Sequence, residues 1–278
     1  DLAWSRGLGD VYKRQVPEVA ERIIELKVLA REAGYRTKIA VASIDSRVDA
    51  VGACVGVRGS RIKNIVDELN GEKIDIVRWN ESSQILIQNA LKPAEIQEVN
   101  LCFELGRATV VVRDDQLSLA IGKRGQNVRL AARLTGWDID ILTPEEFNKG
   151  LEVLAETLLS VDGMHETMLD RLAALGMVSV FDIEEVGAEV LVNELEIDEA
   201  TAQKVVEAAS ERAKVVAEQQ QKEKEEAAKR REEEEATGAS LLDGLVGDAP
   251  EDTEADEAAA LILGEETPEE SEDETKDS

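Results

Sequence analysis

The sequence predicts an α+β protein in which one α/β unit occurs twice and is followed by an all-α domain and an acidic tail. Three observations lead to this prediction. The same order of strand-like alternation and helix-like periodicity appears over residues 16–80 and again over 81–147. Residues 151–214 show only helical spacing of apolar side chains. From residue 237 onward the chain is acidic and poor in aromatic residues, which is typical of disorder.

The elements of the first copy follow from its local patterns. Residues 22–31 and 36–43 alternate as strands, and 32–35 form the turn between them. Helices are predicted at 47–54 and 60–69, and a closing strand at 74–77. A linking helix at 82–91 leads into the second copy, which has strands at 95–105 and 108–112, helices at 114–121 and 126–134, and a strand at 137–141.

Residues 1–15 show no clear period and do not lead naturally into the first strand. We therefore predict that they are a non-native or truncated leader, and we leave them out of the predicted fold.

The net charge of −28 lies in the C-terminal half of the chain. Residues 1–150 carry 22 basic and 22 acidic residues, whereas residues 151–278 carry 10 basic and 38 acidic ones. Nucleic-acid-binding domains are usually basic as a whole. Any nucleic-acid site in this chain must therefore be a local positive patch.

Few residues are available for catalysis or metal binding. Cys54 and Cys102 are too few for a disulfide framework, and we expect two buried, reduced thiols, as in a cytoplasmic protein. The single histidine, His165, excludes a histidine-rich metal site. No apolar run is long enough to span a membrane. We predict a protein that is not an enzyme and has no cofactor, metal site or membrane segment.

The motif that carries function is a repeated GxxG. Gly56–Gly59 and Gly122–Gly125 lie 66 residues apart, each between two predicted helices. Glycine at both ends allows a tight turn and lets another backbone approach closely, and the free N–H groups of the next helix attract anions. The second loop is the more basic, because Val57 of the first loop corresponds to Lys123. The predicted RNA-binding residues are Gly56, Val57, Arg58, Gly59, Arg61, Lys63, Gly122, Lys123, Arg124, Gly125, Gln126, Asn127 and Arg129.

These loops have the form used by KH domains, which clamp about four nucleotides by their backbone. The bases would lie in an apolar groove. Its candidate residues are Val55, Ile62 and Ile65 in the first copy and Ile121 and Val128 in the second, although ordinary core packing also explains them.

The remaining residues form three predicted segments. Residues 151–214 have the pattern of a paired helix-hairpin-helix domain, and its turn at 196–198 is acidic. An acidic turn repels phosphate, which favours protein docking over nucleic-acid binding. Residues 215–236 carry Glu-to-Lys or Glu-to-Arg pairs four residues apart and predict an exposed charged helix. Residues 237–278 are the predicted disordered acidic tail.

Two long segments resemble the tandem KH region of the NusA family of bacterial transcription factors over residues 20–145. They contain V-D-A-V-G-A-C-V-G-V-R-G-S-R-I and E-L-G-R-A-T-V-V-V-R-D-D-Q-L-S-L-A-I-G-K-R-G-Q-N-V-R-L-A-A-R-L. The resemblance implies type II KH domains that bind single-stranded RNA emerging from RNA polymerase. It also implies modulation of pausing, termination and antitermination, and a monomer whose acidic domain docks other transcription or antitermination factors. The N-terminal polymerase-binding and OB-type domains of the family have no counterpart in this sequence.

Two other functions fit the same motifs. The KH units could hold substrate for an RNA-processing enzyme such as an exoribonuclease, whose catalytic domain would lie outside this sequence. Alternatively, the GxxG turns could be purely structural in a protein-interaction scaffold. RNA titration over a range of salt concentrations separates the scaffold from an RNA-binding protein, because phosphate contacts make affinity steeply dependent on salt.

Overall fold

The computed structural model describes the backbone of residues 2–246 and the side chains of residues 9–222 and of Glu225. Six strands are present in this part: β1 Ile24–Glu32, β2 Arg36–Ser43, β3 Lys73–Arg78, β4 Ile96–Cys102, β5 Arg107–Val112 and β6 Asp138–Leu142. The helices are α1 Leu2–Gln15, α2 Pro17–Ala20, α3 Ala50–Val55, α4 Ser60–Glu68, α5 Ser83–Leu91, α6 Asp114–Ile121, α7 Gln126–Thr135, α8 Pro144–Leu159, α9 Glu166–Ala174, α10 Val180–Val186, α11 Ala188–Leu195 and α12 Glu199–Val246.

The duplication seen in the sequence is present in the fold. Each copy has a three-stranded mixed sheet, with strand order β1-β2-β3 in the first and β4-β5-β6 in the second. In both sheets the first two strands are an antiparallel hairpin, and the third strand pairs in parallel with the second. Two helices separated by a GxxG turn connect the second strand to the third. The predicted α+β class with two tandem units is therefore confirmed.

The first unit has a core of its own, and α1 belongs to it. Val11 and Tyr12 are buried in the same cluster as Ile24, Ile39 and Ile65. The exclusion of residues 1–15 from the fold is therefore wrong. The missed signal is an apolar stripe that runs from α1 across a break in the helix into α2, so no single helical window contains it. The non-native origin of residues 1–15 stays a prediction.

The sheet of the first unit is also covered on its other face, by the second unit. α7 packs against β1 and β2, and α5 packs against β3. Ala30 and Ala40 of the first sheet share one buried cluster with Ile87 of α5 and with Leu130 and Ala131 of α7. This explains why the middle residues of β2 are buried without alternation: both faces of that strand are in contact with protein.

α8 begins directly after a helix-capping sequence, which the predicted domain boundaries do not take into account. Thr143 Oγ1 accepts a hydrogen bond from Glu146 N at 3.2 Å, and Glu146 Oε2 accepts one from Thr143 N at 2.9 Å. Pro144 occupies the first helical position, where its missing N–H has no cost. The gap predicted between residues 147 and 151 therefore lies inside a helix.

The acidic helical region, residues 144–217, packs on the second sheet. Cys102 of β4 is buried among Leu154, Leu172 and Met177 of this region. Gly176 lies against the backbone of β4, since a Cβ atom at this position would come within 2.4 Å of Leu101 O. Only glycine allows this close approach.

One arginine joins the second sheet to the acidic helical region. Arg107 of β5 donates to Asp182 Oδ1 at 2.9 Å and to Glu185 Oε2 at 2.8 Å. Asp182, the third residue of α10, also accepts from Ser179 N at 2.9 Å and forms a capping box with Ser179, the N-cap residue of that helix. The side chain of Asp182 is almost completely buried.

The chain divides into two compact units after Ala217. Ala202, Val205 and Ala209 of α12 lie in the core of the acidic helical region. α12 covers the predicted charged helix at 215–236 and continues to Val246, so residues 237–246 are helical where disorder was predicted. The rest of the predicted tail, 247–278, lies outside the described residues.

Within residues 2–246, no helix combines the length and the apolar composition that crossing a membrane requires.

Candidate nucleic-acid interface

The two GxxG loops have the same backbone conformation. Gly56 has φ 75° and ψ 175°, and Gly122 has φ 74° and ψ 171°. Both loops form a short 3₁₀ turn, in which Gly59 N donates to Gly56 O and Gly125 N donates to Gly122 O, each at 3.1 Å. The repeat seen in the sequence is thus a repeat of a defined turn, and not only of two glycines at equal spacing.

The first glycine of each loop is required by close packing. A Cβ atom on Gly56 would lie 2.7 Å from Arg61 Cγ, and one on Gly122 would lie 2.7 Å from Asn127 Cβ and 3.0 Å from Asn127 N. Because the neighbour of Gly122 includes backbone, the overlap in the second loop cannot be relieved by a side-chain rotation.

The second glycine of each loop faces open space. Gly59 and Gly125 also have positive φ, at 75° and 69°. A Cβ atom on Gly59 would have Ile62 Cγ2 at 3.8 Å as its nearest neighbour, and one on Gly125 would have no described atom within 4 Å. No side chain caps the N-terminus of α4 or α7 in the described part of the chain. Each loop therefore offers a bare, open backbone beside a helix N-terminus, where anions bind favourably.

Exposed basic residues lie in both loops and in the first turn of α4. Arg58 and Lys63 are exposed at the first loop, and Lys123 and Arg124 at the second. None of these four forms an ion pair within the side chains that the structure describes. Val57 is 83% exposed and adds no charge to the first loop. The second loop is therefore the more positive, as the sequence predicts.

Arg61 and Asn127 occupy equivalent positions and fold back beneath their loops. Arg61 Nη1 donates to Ala53 O at 2.7 Å and to Glu18 Oε2 at 2.9 Å. Asn127 Nδ2 donates to Ala120 O at 3.0 Å and to Leu91 O at 3.1 Å, and its side chain is buried. Both residues close the end of the helix that precedes the loop. These positions favour support of the loop over the direct RNA contact that was predicted for both residues.

Gln126 and Arg129 reach across to the first unit. Glu32, the last residue of β1, accepts from Gln126 Nε2 at 2.9 Å and from Arg129 Nε at 2.6 Å. Arg133 Nη1 lies 3.7 Å from the same carboxylate. The hydrogen bonds from Arg129 and Gln126 lower the pKa of Glu32, and the bond to Glu32 raises the pKa of Arg129. No local sequence signal points to Glu32, because its partners are more than 90 residues away along the chain.

The predicted groove residues differ in their exposure. Ile65 is fully buried in the first core, which agrees with the packing explanation. Val55, Ile62 and Val128 are half-buried, and Ile121 is 36% exposed. An apolar surface next to each loop therefore remains accessible to a base.

The described residues offer little for other chemistry. Both cysteines are free and buried, and burial raises the pKa of the Cys54 thiol to about 11. A thiol with this pKa is a poor nucleophile. Among the residues that the structure describes, no three metal-ligating side chains come together.

Comparison with protein families matches both units. Residues 7–79 match the NusA-like first KH domain, and residues 83–149 match the NusA-like second KH domain. Together these ranges make up about half of the chain.

Relatives with the same name come from several bacteria. The chain is 51% identical over 158 residues to a "Transcription termination/antitermination protein NusA" from Halalkalibacterium halodurans, covering 57% of this chain and 40% of that protein. A protein of the same name from Rickettsia conorii is 44% identical over 180 residues, covering 62% of this chain and 36% of its own. Another from Bacillus subtilis is 53% identical over 131 residues, covering 47% and 35%. The chain thus spans less than half the length of the relatives it matches.

A matching pair of KH domains in the same order, with one loop geometry in both and close identity to proteins of this name, shows that the chain belongs to the NusA family.

Proposed function

We propose that this chain binds single-stranded RNA through both GxxG loops, and that it acts without catalysis in NusA-type transcription termination and antitermination. The observation that carries the proposal is the pair of open, positively flanked turns with one backbone conformation, on two domains that share a core. A phosphate would lie against Gly59 or Gly125, where no side chain intervenes, while Arg58, Lys123 and Arg124 supply charge.

The proposed contact surface is narrower than the set predicted from sequence. RNA would contact the two glycine pairs and the apolar side chains beside the loops. It would also contact the exposed residues Val57, Arg58, Lys63, Lys123 and Arg124. Arg61 and Asn127 would support the loops, and Gln126 and Arg129 would act at the contact between the domains.

Further partners follow from the family and remain part of the proposal. The relatives' printed name concerns termination and antitermination, which supports RNA polymerase as the larger partner of this chain. We propose that the acidic helical region docks another transcription factor, and that it contains the predicted helix-hairpin-helix pair. We also propose that the chain is a monomer in solution and acts in the cytoplasm.

The test is a charge reversal at the second loop. Lys123→Asp combined with Arg124→Asp should weaken RNA binding by at least roughly tenfold. It should also reduce the salt dependence of affinity, because each phosphate contact to a single strand contributes about 0.7 to the slope of log K against log salt concentration. The far-ultraviolet circular dichroism spectrum should be unchanged, because neither side chain forms an ion pair within the described residues.

A matched control separates local contact from overall charge. Lys204→Asp combined with Lys214→Asp makes the same change in charge at two exposed positions of α12. The control should leave RNA affinity within about twofold of the unmodified chain at physiological salt, where distant charges are screened. Equal weakening by both double variants would reject the loops as the binding site, and no weakening by either would favour the scaffold.

A further inference from the structure

Glu32 stands out because it is an acid beside a site that should attract phosphate. It ends β1, at the tip of the first domain's hairpin, and its side chain is 18% exposed. Its carboxylate contacts Gln126 and Arg129, the first and fourth residues of α7 in the second domain. α7 begins directly after the second GxxG loop.

The contact continues to the loop itself. Arg129 Nη1 also donates to Arg124 O at 3.4 Å, so one guanidinium joins Glu32 of the first domain to the backbone of the second loop. Behind this contact, Ala30 of β1 and Leu130 of α7 lie in the shared core. The hairpin tip, the helix and the loop are thus connected by both polar and apolar contacts.

A carboxylate this close to a phosphate site would weaken RNA binding by charge repulsion if it had no other role. Glu32 also engages Arg129 and is near Arg133, two cations that would otherwise add to the positive patch. The position of Glu32 is therefore better explained by the relative placement of the domains than by contact with the ligand.

We propose that Glu32 is a positioning residue for RNA that occupies both loops: its bonds to α7 fix the second GxxG loop relative to the first domain. The inference rests on the proposed RNA-binding function. Two short sites held at a fixed spacing bind one strand more tightly than either site does, because the second contact becomes intramolecular. Loosening the contact lowers this advantage and leaves each loop intact.

The experiment measures affinity against RNA length. Single-stranded oligomers from about 4 to about 16 nucleotides, the shortest matching one KH site, are titrated against the unmodified chain and against Glu32→Ala. We expect Glu32→Ala to lose roughly tenfold in affinity for the longest oligomers and to bind the shortest ones as well as the unmodified chain, or slightly better. The rise of affinity with length should therefore be flatter.

Two variants control this result. Glu32→Gln keeps an oxygen that can accept from Arg129, and should recover most of the affinity for long RNA. Glu98→Ala removes an exposed carboxylate from β4 and should behave as the unmodified chain at every length.

Each other outcome has a definite meaning. Tighter binding of short and long RNA alike by Glu32→Ala would show that Glu32 acts only through its charge and would overturn the inference, as would an unchanged length dependence. If the unmodified chain itself fails to bind any oligomer, the proposed function fails. If it binds and the Lys123→Asp, Arg124→Asp variant does not, the function stands and the Glu32 series decides the inference alone.

Discussion

Gly122 and Gly125 lie in one loop and should respond to the same substitution in different ways. Gly122 has φ 74° and ψ 171°, a combination open almost only to glycine, and a Cβ atom there would overlap Asn127. Asn127 cannot move aside easily, since it is buried and its amide donates to carbonyl oxygens on two helices. Gly125 has φ 69° and ψ 16°, the left-handed helical conformation, with open space around it.

The free-energy changes can be estimated from these geometries. For Gly122→Ala, backbone strain contributes about 1–3 kcal/mol and overpacking about 1–3 kcal/mol. The expected loss of unfolding free energy is therefore about 2–6 kcal/mol. For Gly125→Ala only the left-handed backbone matters, at about 1–2 kcal/mol, and the lower entropy of the unfolded alanine chain offsets about 0.4–1 kcal/mol.

RNA binding should show the opposite order among the folded variants. The methyl group of Gly125→Ala projects into the space where a phosphate would approach the backbone. Loss of one charge-assisted hydrogen bond corresponds to about 1.5 kcal/mol, or roughly tenfold in affinity. Gly125→Ala should therefore remain nearly as stable as the unmodified chain while it binds RNA about ten times more weakly.

Urea unfolding followed by circular dichroism gives the stabilities, and fluorescence anisotropy with a labelled RNA oligomer gives the affinities. Gly59→Ala repeats the test of the open glycine in the first loop. Equal destabilisation by Gly122→Ala and Gly125→Ala would refute the packing explanation. Unchanged RNA affinity in Gly125→Ala would refute the close approach of phosphate to the backbone.

Three further predictions concern single polar side chains. The Tyr12 hydroxyl is buried and has no hydrogen-bond partner among the described residues. Tyr12→Phe should therefore raise the unfolding free energy by about 1 kcal/mol. A lower unfolding free energy would show that the hydroxyl is solvated. Asp75→Ala should lower the unfolding free energy by about 3 kcal/mol or more. The buried Lys38 ammonium lies 3.0 Å from Asp75 and would lose this partner. A smaller loss in urea unfolding would mean that Lys38 reaches water. Asp140→Asn should be neutral or slightly stabilising at pH 7, because partial desolvation raises the pKa of Asp140. The side chain is 57% exposed, so solvent screening keeps the change in unfolding free energy small. Measured against pH, the unfolding free energy of the variant should lack the gain that protonation of Asp140 gives the unmodified chain at low pH.

The pKa values of Asp75 and Asp140 shift in opposite directions, so their contributions to stability change with pH in opposite ways. Burial tends to raise the pKa of Asp75, but the hydrogen bonds and charges of Arg36 and Lys38 outweigh it and lower the pKa. Its contribution to stability is therefore present above the pKa of the unfolded chain and is lost as pH falls through the folded pKa. Asp140 has a raised folded pKa, so the folded state binds its proton more tightly and gains stability as pH falls through that value.

Elements set by local patterns were predicted from the sequence to within a few residues. β2 was expected at 36–43 and spans Arg36–Ser43, and α6 was expected at 114–121 and spans Asp114–Ile121. Alternation, helical spacing and a dipole-favoured start at Asp114 are all local signals. The two loops could also be found, because glycine at fixed spacing reports directly on backbone conformation.

What the sequence did not reveal depends on contacts between distant residues. Glu32 and Asn127 have no distinctive neighbours in sequence, and their partners lie on other elements. The place of Asn127 soon after the loop predicts a ligand-binding residue, yet its side chain is turned inward and buried. The packing of α1 is not predicted for a similar reason. Val11 and Tyr12 are core residues only because the fold brings them beside Ile24 and Ile65, which are distant in sequence.

In the two copies, equivalent arginines at the start of the second strand form different contacts. Arg36 binds Asp75 with two hydrogen bonds, at 2.7 and 2.9 Å, between β2 and β3 of the first sheet. Arg107 holds the equivalent position in the second sheet, but its Nε lies 3.4 Å from Asp140 Oδ2.

The difference arises because the two sheets have different neighbours. The first sheet is covered by helices of the second domain, and its arginine pairs within its own sheet. The second sheet adjoins the acidic helical region. Its Asp182 and Glu185 bind Arg107, whose Nε forms no hydrogen bond with Asp140. Desolvation beside this junction raises the pKa of Asp140, and the nearby carboxylates of Asp138, Asp182 and Glu185 raise it further, against the attraction of Arg107. A contact that stabilises a single sheet in one copy therefore joins two regions of the chain in the other.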